Sequence, residues 1–343
     1  MINRTEQEII SRWKGNIDHP EVSIRCTTYN HQLYIEDALD SFLMQETSFP
    51  FEIVIHDDAS LDDTKRIIEK YFKKYPRIIR PIFEIENQYS KGNGCLNNAI
   101  IKYFRGKYVA FCEGDDYWID NLKLQKQYDS MENNKDCYLC VHNTEIHNSD
   151  GTISYLPIRR FNEGVIESNE FLNTMSAYNF HTSSFFFNKE KLLKYYSEDL
   201  AFIKAVKVGD IPLLLYFGYI GNIYYISNLM SVYRKNNKSS WTEKHIKNKD
   251  IYVNTAKNMI DMINKFDIYT NGKYKEMRDK FIKNWEFNIF FRTNNYKKLM
   301  SREYDRKRST LSLARRIVIH IGYYFPRIAD FIINLHDRIN DHK

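Results

Sequence analysis

Between Glu21 and Trp118 the chain repeats one pattern: a short apolar run without in–out alternation, then a stretch with helical spacing. A strand that is apolar on both faces has to be covered on both, which selects a parallel sheet flanked by helices. The strand-like runs are EVSIRCTTYN, FEIVIHDDAS, IIRPIFEIEN and KYVAFCEGDDYW. HQLYIEDALDSFLMQ separates the first two, with Leu33, Ile35, Leu39, Phe42 and Leu43 on one helical face. DTKRIIEKYFKKYP, stopped by Pro76, and GCLNNAIIKYF, closed at Arg105-Gly106, separate the others. Ligands of such sheets bind outside the carboxyl ends of the strands. Three of these ends are polar: Thr27-Thr28-Tyr29-Asn30, Asp57-Asp58 and Glu113-Gly114-Asp115-Asp116.

Beyond this region the pattern loosens. Residues 137–240 hold strand-like pieces (CYLCVHNTEI, HTSSFFFN, NIYYIS) around the helical GDIPLLLYFGY, and after Trp241 the chain turns to long Lys/Asn/Tyr-rich helices. The expected organisation is an α/β domain over 1–240 and a helical C-terminal region over 241–343. With 343 residues, 43% hydrophobic and 15% aromatic, the chain has material for a sizeable core, which excludes global disorder. No run reaches the roughly 18 apolar residues of a membrane span, and MINRTEQEII lacks the apolar centre of a secretory signal. A soluble, cytoplasmic chain is expected.

The net charge of +6 is too small for a nucleic-acid-binding stripe. Most of it is local: from Ser301 to Lys343 nine basic residues face five acidic ones, giving +4. Five cysteines, an odd number, argue against a disulfide framework. Cys137 and Cys140 form a C-x-x-C inside a core-like strand without a second pair at zinc spacing, so packing is their expected role.

The acidic strand ends carry the chemistry. Ser60, Asp62 and Asp63 read as caps for the next helix, which leaves Asp57 and Asp58 unexplained; a carboxylate there can accept a uracil imide N–H or bond a ribose. Glu113, Asp115 and Asp116 crowd three carboxylates into four residues, which costs stability unless a cation or donor cluster compensates. Such a group suits Mg²⁺ or Mn²⁺ carrying a diphosphate; a solvated acidic turn is the plain alternative. The flanking VAF and YW set it at the mouth of the core rather than on a free loop, which favours the metal.

VSIRCTTYNH, EIVIHDDASLDDT, GKYVAFCEGDDYW with NLKLQKQ, HTSSFFFNKE, and GDIPLLLYF with SVYRK occur in that order over about residues 20–240. The set resembles family 2 glycosyltransferases of the GT-A fold, most of all bacterial members that build surface polysaccharides. The resemblance implies a Rossmann-like nucleotide-binding domain with a mixed central sheet. It implies that Thr27 and Tyr29 line the nucleotide pocket, that Asp58 accepts from uracil and that Asp57 supports its loop. Glu113 and Asp115 take the two acidic positions of the D-x-D motif, with Asp115 on the metal and Asp116 beside it toward sugar or metal. Asp210 matches the general base of an inverting transfer, a role compatible with capping its helix. HTSSF matches an acceptor-facing segment; as a plain reading it opens a core strand. Lys91-Gly92-Asn93-Gly94 reads either as a donor-side loop or as a simple turn.

Two departures stand out. The first acid is Glu113 where Asp is usual, and Tyr233-Arg234 is followed by Lys235-Asn236-Asn237 rather than His, the next His being His245. Arg234, Lys235, Lys238 or the metal alone would then meet the diphosphate. The expected donor is a UDP-sugar and the acceptor a saccharide or lipid-linked saccharide. A non-catalytic nucleotide-sugar binder would not need Asp210. A sugar nucleotidyltransferase would want a Gly-rich basic loop after the first strand, and RCTTYNH has none. The tail LSLARRIVIHIGYYFPRIADFIINLHDRIN mixes Arg with apolar residues. It suits either peripheral contact with an anionic membrane at the inner face of the cell, or packing on the catalytic domain or on a second subunit of a homo-oligomer.

Overall fold

The computed structural model describes all residues except 1, 93–94, 149, 158–160, 176–179, 208, 236–247 and 330–343. They belong to two compact units, Met1–Lys238 and Ser239–Lys343.

The first unit is built on a ten-stranded sheet. Its strands are β1 (Val22–Thr28), β2 (Phe51–Asp57), β3 (Ile79–Phe83), β4 (Tyr108–Phe111), β5 (Tyr117–Trp118), β6 (Cys137–His147), β7 (Ile153–Leu156), β8 (Gly164–Ile166), β9 (Phe186–Asn188) and β10 (Asn222–Arg234). They run in the order β3-β2-β1-β4-β9-β6-β10-β5, with β7 on β6 and β8 on β10. The first four are mutually parallel, as the unalternating runs predict. The short β9 then enters antiparallel between β4 and β6, making the sheet mixed. Every residue of β1, β2 and β4 is buried. Helix Ile35–Leu43 buries Ile35, Ala38, Leu39, Phe42 and Leu43, and helix Thr64–Lys74 buries Ile68 and Tyr71.

KYVAFCEGDDYW does not form one strand. β4 lies mid-sheet, whereas β5 pairs antiparallel with the end of β10 at the far side of the strand order. Trp118 packs on Phe42 with ring centroids 4.7 Å apart, and its backbone N–H donates to Ser41 Oγ at 3.1 Å. The last strand thus leans on the helix that follows β1, so the sheet curls. The link Cys112–Asp116 crosses the mouth of the curl.

Cys26, Cys112, Cys137 and Cys140 are free thiols inside the core. Beside them Lys123 is fully buried, its ammonium 2.6 Å from Gln127 Oε1 and 4.0 Å above the Trp118 ring. Neither partner carries a full negative charge, and burial pulls its pKa down to about 7.

The second unit pairs helix Lys249–Tyr269 with helix Lys275–Arg292, burying Met259, Met262, Ile263 and Phe266 from the first and Met277, Phe281 and Phe287 from the second. Asn271 and Gly272 turn the chain between them at positive φ. Phe287 continues into a second cluster with Tyr296, Leu299, Tyr304 and Ile319. No helix among the described residues is long and apolar enough to cross a membrane.

Lys123 gives the fold a pH signature. In the unfolded chain a lysine titrates near ~10.4, so between about pH 7 and pH 10 the unfolded state holds a proton that the folded state has released. Stability contributed at this site therefore rises with pH over that window, and the full cost of burying the charge persists below it. Urea unfolding of wild type and Lys123→Met should show wild type gaining on the variant as pH rises from 7 to 10, whatever constant offset the lost Gln127 bond imposes. A pH-independent difference would show that the lysine stays charged inside.

Candidate active site

The loops after β1 and β2 are laced together. Asn30 and Ala59 both take left-handed backbone conformations, at φ of 56° and 63°. The Asn30 N–H donates to Ser60 Oγ (2.8 Å), and the Leu61 N–H donates back to Asn30 Oδ1 (2.8 Å). The His31 N–H donates to Thr64 Oγ1 (2.8 Å), and the Asp63 N–H to Gln32 Oε1 (3.0 Å). Asp57 locks the turn from below by accepting from both the hydroxyl and the N–H of Ser60, while burial raises its pKa. Capping is shared otherwise than expected: Asp62 accepts from the Thr64 N–H (3.0 Å), and Asp63 pairs with Arg66 instead. Thr27 is buried, and Tyr29 stands 41% exposed at the rim.

Asp58 is buried at the end of the β2 turn. Its two carboxylate oxygens accept from the N–H groups of Gln88 (2.6 Å) and Tyr89 (3.0 Å), tying down the segment Gln88–Lys91. A carboxylate has about four lone-pair sites, so each oxygen keeps capacity for a further donor. Of the Lys91-Gly92-Asn93-Gly94 loop, Asn93 and Gly94 lie outside the described residues.

The link after β4 continues along β1: the Cys112 N–H donates to Arg25 O (3.0 Å) and the Gly114 N–H to Thr27 O (2.9 Å). Its carboxylates turn three ways. Glu113 accepts from Thr182 Oγ1 (2.8 Å) and faces Arg25 Nη1 at 3.8 Å; burial raises its pKa and Arg25 opposes the rise. Asp115 points to the mouth, its carboxylate 3.8 Å from His31 Nε2. Asp116 is 2% exposed, accepts from the Arg234 N–H (2.9 Å) and lies 3.7 Å from His181 Nε2. Burial first, then the charges of Asp115 and Glu113, push its pKa well above the carboxylate range. His181 is its neutral counterpart: burial pulls its pKa down to about 3, and Nδ1 accepts from the Ser183 N–H (3.3 Å), which leaves the ring proton on Nε2 toward Asp116.

Arg234, at the end of β10, binds the link to the helix after β1. Its guanidinium donates to Asp115 O (3.0 Å), pairs with Asp37 and lies 4.4 Å above the Tyr117 ring. The Lys235 N–H donates to His147 O (3.0 Å); Lys238 and His245 lie outside the described residues. Asp210 opens helix Asp210–Ile220, and its Oδ1 accepts from the Ile211 N–H (2.8 Å). Its charge acts on Tyr195, whose ring lies 5.0 Å from Tyr196, and Tyr196 in turn feels Glu113 and Arg25.

Arg25, His31 and the pair Gln88-Tyr89 escape sequence reasoning. Arg25 is 7% exposed, stacks 4.5 Å over Phe111, donates to Asn97 Oδ1 (3.1 Å) and leaves Nε without a hydrogen-bond partner. The one available signal was an Arg inside an otherwise apolar strand. No group of three His, Cys, Asp or Glu side chains among the described residues converges on one point as a metal cage. Asp115, turned to the mouth, is the one carboxylate of the link placed to hold a metal that completes its coordination with phosphate oxygens and water, the usual habit of Mg²⁺.

Residues 23–196, just over half of the chain, match the family model described as glycosyl transferase family 2. An uncharacterized protein of Mycobacterium bovis is 42% identical over 130 residues, 38% of this chain and 37% of that protein. The Escherichia coli UDP-Glc:alpha-D-GlcNAc-diphosphoundecaprenol beta-1,3-glucosyltransferase WfaP is 40% identical over 114 residues, 33% of this chain and 42% of its own. The chain thus spans well under half the length of these relatives. Staphylococcus aureus TarS 1-349 in complex with UDP shares the fold with a TM-score of 0.54 and 18% identity, over 89% of this chain and 87% of that one. The mannosyltransferase PcManGT of Pyrobaculum calidifontis, in complex with GDP-Man and Mn2+, gives 0.56 and 15%, over 93% and 88%. The architecture is accordingly GT-A-like.

Gly114 is the tightest point of the site. A Cβ there would meet Thr28 Cβ and Oγ1 at 2.8 Å and Ile35 Cδ1 at 2.9 Å. Gly114→Ala should cost about 1–3 kcal/mol of stability, the usual range for overpacking, by pushing the link off β1. Urea unfolding checks this; an unchanged protein would mean that the link moves freely.

Proposed function

Since the chain belongs to glycosyl transferase family 2, we propose that it is an inverting enzyme that moves a sugar from UDP to a saccharide or lipid-linked saccharide during bacterial surface-polysaccharide synthesis. The observation that carries this reading is the acidic link held across the mouth of the sheet, with Asp115 turned outward between His31 and Arg234. The named relatives support the donor and the process: WfaP uses UDP-Glc, and TuaG of Bacillus subtilis is assigned to teichuronic acid biosynthesis.

In this reading Tyr29 stacks on the base and Thr27 supports it from β1. Asp58 accepts the imide N–H with its remaining lone pairs, while its bonds to Gln88 and Tyr89 hold it still. Asp57 acts through Ser60 to fix the same turn. Asp115 would hold Mn²⁺ or Mg²⁺ at the mouth, beside His31, whereas Glu113, the other acid expected on the metal, is turned to Thr182 and Arg25. Bound there, the metal supplies Lewis-acid neutralisation of the leaving diphosphate. Arg234 adds a fixed positive charge, and Asp116 serves the donor indirectly by holding the Arg234 backbone. Asp210 takes the proton of the attacking hydroxyl on the face opposite the leaving group. Holding both partners in line supplies the remaining acceleration.

Calorimetry of UDP with and without Mn²⁺ tests the donor half. Wild type should bind more tightly with Mn²⁺, and Asp115→Ala should lose that dependence. Asp210→Asn should keep UDP affinity but lose about 10²–10⁴-fold in turnover, the usual contribution of a positioned base. UDP, rather than pyrophosphate, should be the released product. Metal-independent UDP binding, or an Asn variant with full turnover, overturns the assignment of that residue.

The second unit supplies the membrane half of the proposal. Helix Leu313–Tyr324 leaves Leu313, Ile317, Tyr323 and Tyr324 exposed beside Arg315 and Arg316, with Ile319 and Gly322 turned inward. This pairing of exposed apolar residues with Arg suits an anionic bilayer surface at the inner face of the cell membrane. Protein should sediment with phosphatidylglycerol vesicles and not with pure phosphatidylcholine, and Ile317→Asp should abolish it. A shift to dimers that the same substitution breaks, without vesicle binding, would assign the face to a second subunit.

A further inference from the structure

A cavity of about 410 Å³ opens where β10 bulges away from β6, lined by Asn143, Tyr155, Leu156, Phe161, Tyr225 and Leu229 with neighbours Pro157 and Ser227. We infer that this cavity is a subsite for a distal sugar unit of an oligosaccharide acceptor, separate from the position of the reacting hydroxyl. The inference rests on the transferase reading above and adds the size of acceptor to it.

The lining has the two components that sugar rings require. Tyr155 on β7 is 54% exposed and Leu229 38% exposed, so aromatic and aliphatic surface faces solvent without a cover from the first unit's described residues. Phe161 and Tyr225 form the inner wall, edge to face at 5.9 Å. Against these surfaces stand polar atoms with capacity left. Tyr225 Oη donates to Asn143 Oδ1 (2.5 Å), and Asn143 Nδ2 donates to Ser227 O (2.6 Å). An amide oxygen has a second lone pair and an amide nitrogen a second hydrogen. The Ser227 hydroxyl donates to Glu163 and keeps its own lone pairs for an incoming O–H. Hydroxyls that both donate and accept, mounted on a ring with an apolar face, match this surface. The volume lies within the ~300–1,000 Å³ typical of small-molecule sites.

The cavity is also built into the site. Phe161 and Tyr225 both pack on Phe180, at 5.7 and 5.9 Å. The next residue, His181, faces Asp116 at 3.7 Å. Along β10, Leu229 precedes Arg234 by five residues, at most about 17 Å of extended chain. That span is within reach of an acceptor of two or more sugars, with a hydroxyl reacting at the mouth and a further ring in the cavity.

Saturation-transfer NMR tests this with methyl glycosides of glucose, galactose and N-acetylglucosamine, their 1,3- and 1,4-linked disaccharides, and octyl β-glucoside below its micelle concentration. At least one disaccharide should receive saturation from wild type, and Tyr155→Ala and Leu229→Asp should reduce it more than fivefold with circular dichroism unchanged. Octyl glucoside should be contacted through its ring protons. Saturation confined to the octyl chain would make the cavity a lipid groove and overturn the inference, as would no saccharide binding or binding equal in wild type and both variants. UDP titrations of the same samples separate the outcomes, because loss of UDP binding in wild type counts against the donor reading and not against the cavity.

Discussion

The site depends on a stretch of backbone pairing that no strand assignment covers. After β4 the chain keeps bonding to β1 through the N–H groups of Cys112 and Gly114, and only then departs for β5. That extra length carries Glu113, Asp115 and Asp116 past the end of the core before the chain turns. It works because position 114 has no Cβ; Thr28 and Ile35 already occupy the space. The odd and even residues of an extended chain face opposite ways. Glu113 accordingly meets Arg25 and Thr182, and the turn that follows sends Asp115 to the mouth and Asp116 back into the sheet.

The same sheet holds a second carboxylate at the opposite, amino-terminal ends of its strands, and the contrast separates structure from chemistry. Glu52 is 1% exposed yet fully matched: Arg80 and Arg105 donate to it at 3.0 and 2.7 Å, and the Ser23 hydroxyl and the Arg105 N–H at 2.7 and 2.8 Å. A buried charge so completely paired is an internal brace. The acidic link has no such balance. Arg25 stands 3.8 Å from Glu113, beyond hydrogen-bonding distance, and Arg234 spends its guanidinium on Asp115 O and Asp37. Burial and two neighbouring carboxylates push the Asp116 pKa well above the usual carboxylate range. Asp115 is left at the mouth, where the proposed reading puts the cation.

Much of this was legible in the sequence because it is local. Unalternating apolar runs announced the parallel half of the sheet, and acids at strand ends announced the mouth. What escaped was set by contacts distant in sequence. KYVAFCEGDDYW reads as one strand because nothing in it shows that Tyr117-Trp118 will pair with residues beyond 230. HTSSFFFN reads as a core strand, yet Thr182–Ser184 forms a 3-10 turn before the short β9, since the Ser184 and His181 groups bond each other instead of a neighbouring strand. Arg25 was invisible for a similar reason. Its alkyl stem and cation–π stacking on Phe111 let it pass as core, and its partner Glu113 arrives almost ninety residues later.

The family match ends at residue 196, but the sheet is not finished there. β10 is still to come; it pairs with β6 along its length and with β5 at its end, and it delivers Arg234 to the acidic link. Asp210 likewise lies beyond the matched stretch, on the helix that leads into β10. The matched region therefore holds the loops of β1 and β2 and the acidic link, to which the proposed reading gives the donor. The later residues bring Arg234 to the link and form the bulged β10. On the proposed reading β10 both completes the donor site, through Arg234, and carries a wall of the acceptor cavity, at its bulge. Changes confined to the bulge would then alter what is accepted while the β1–β4 scaffold stays as it is.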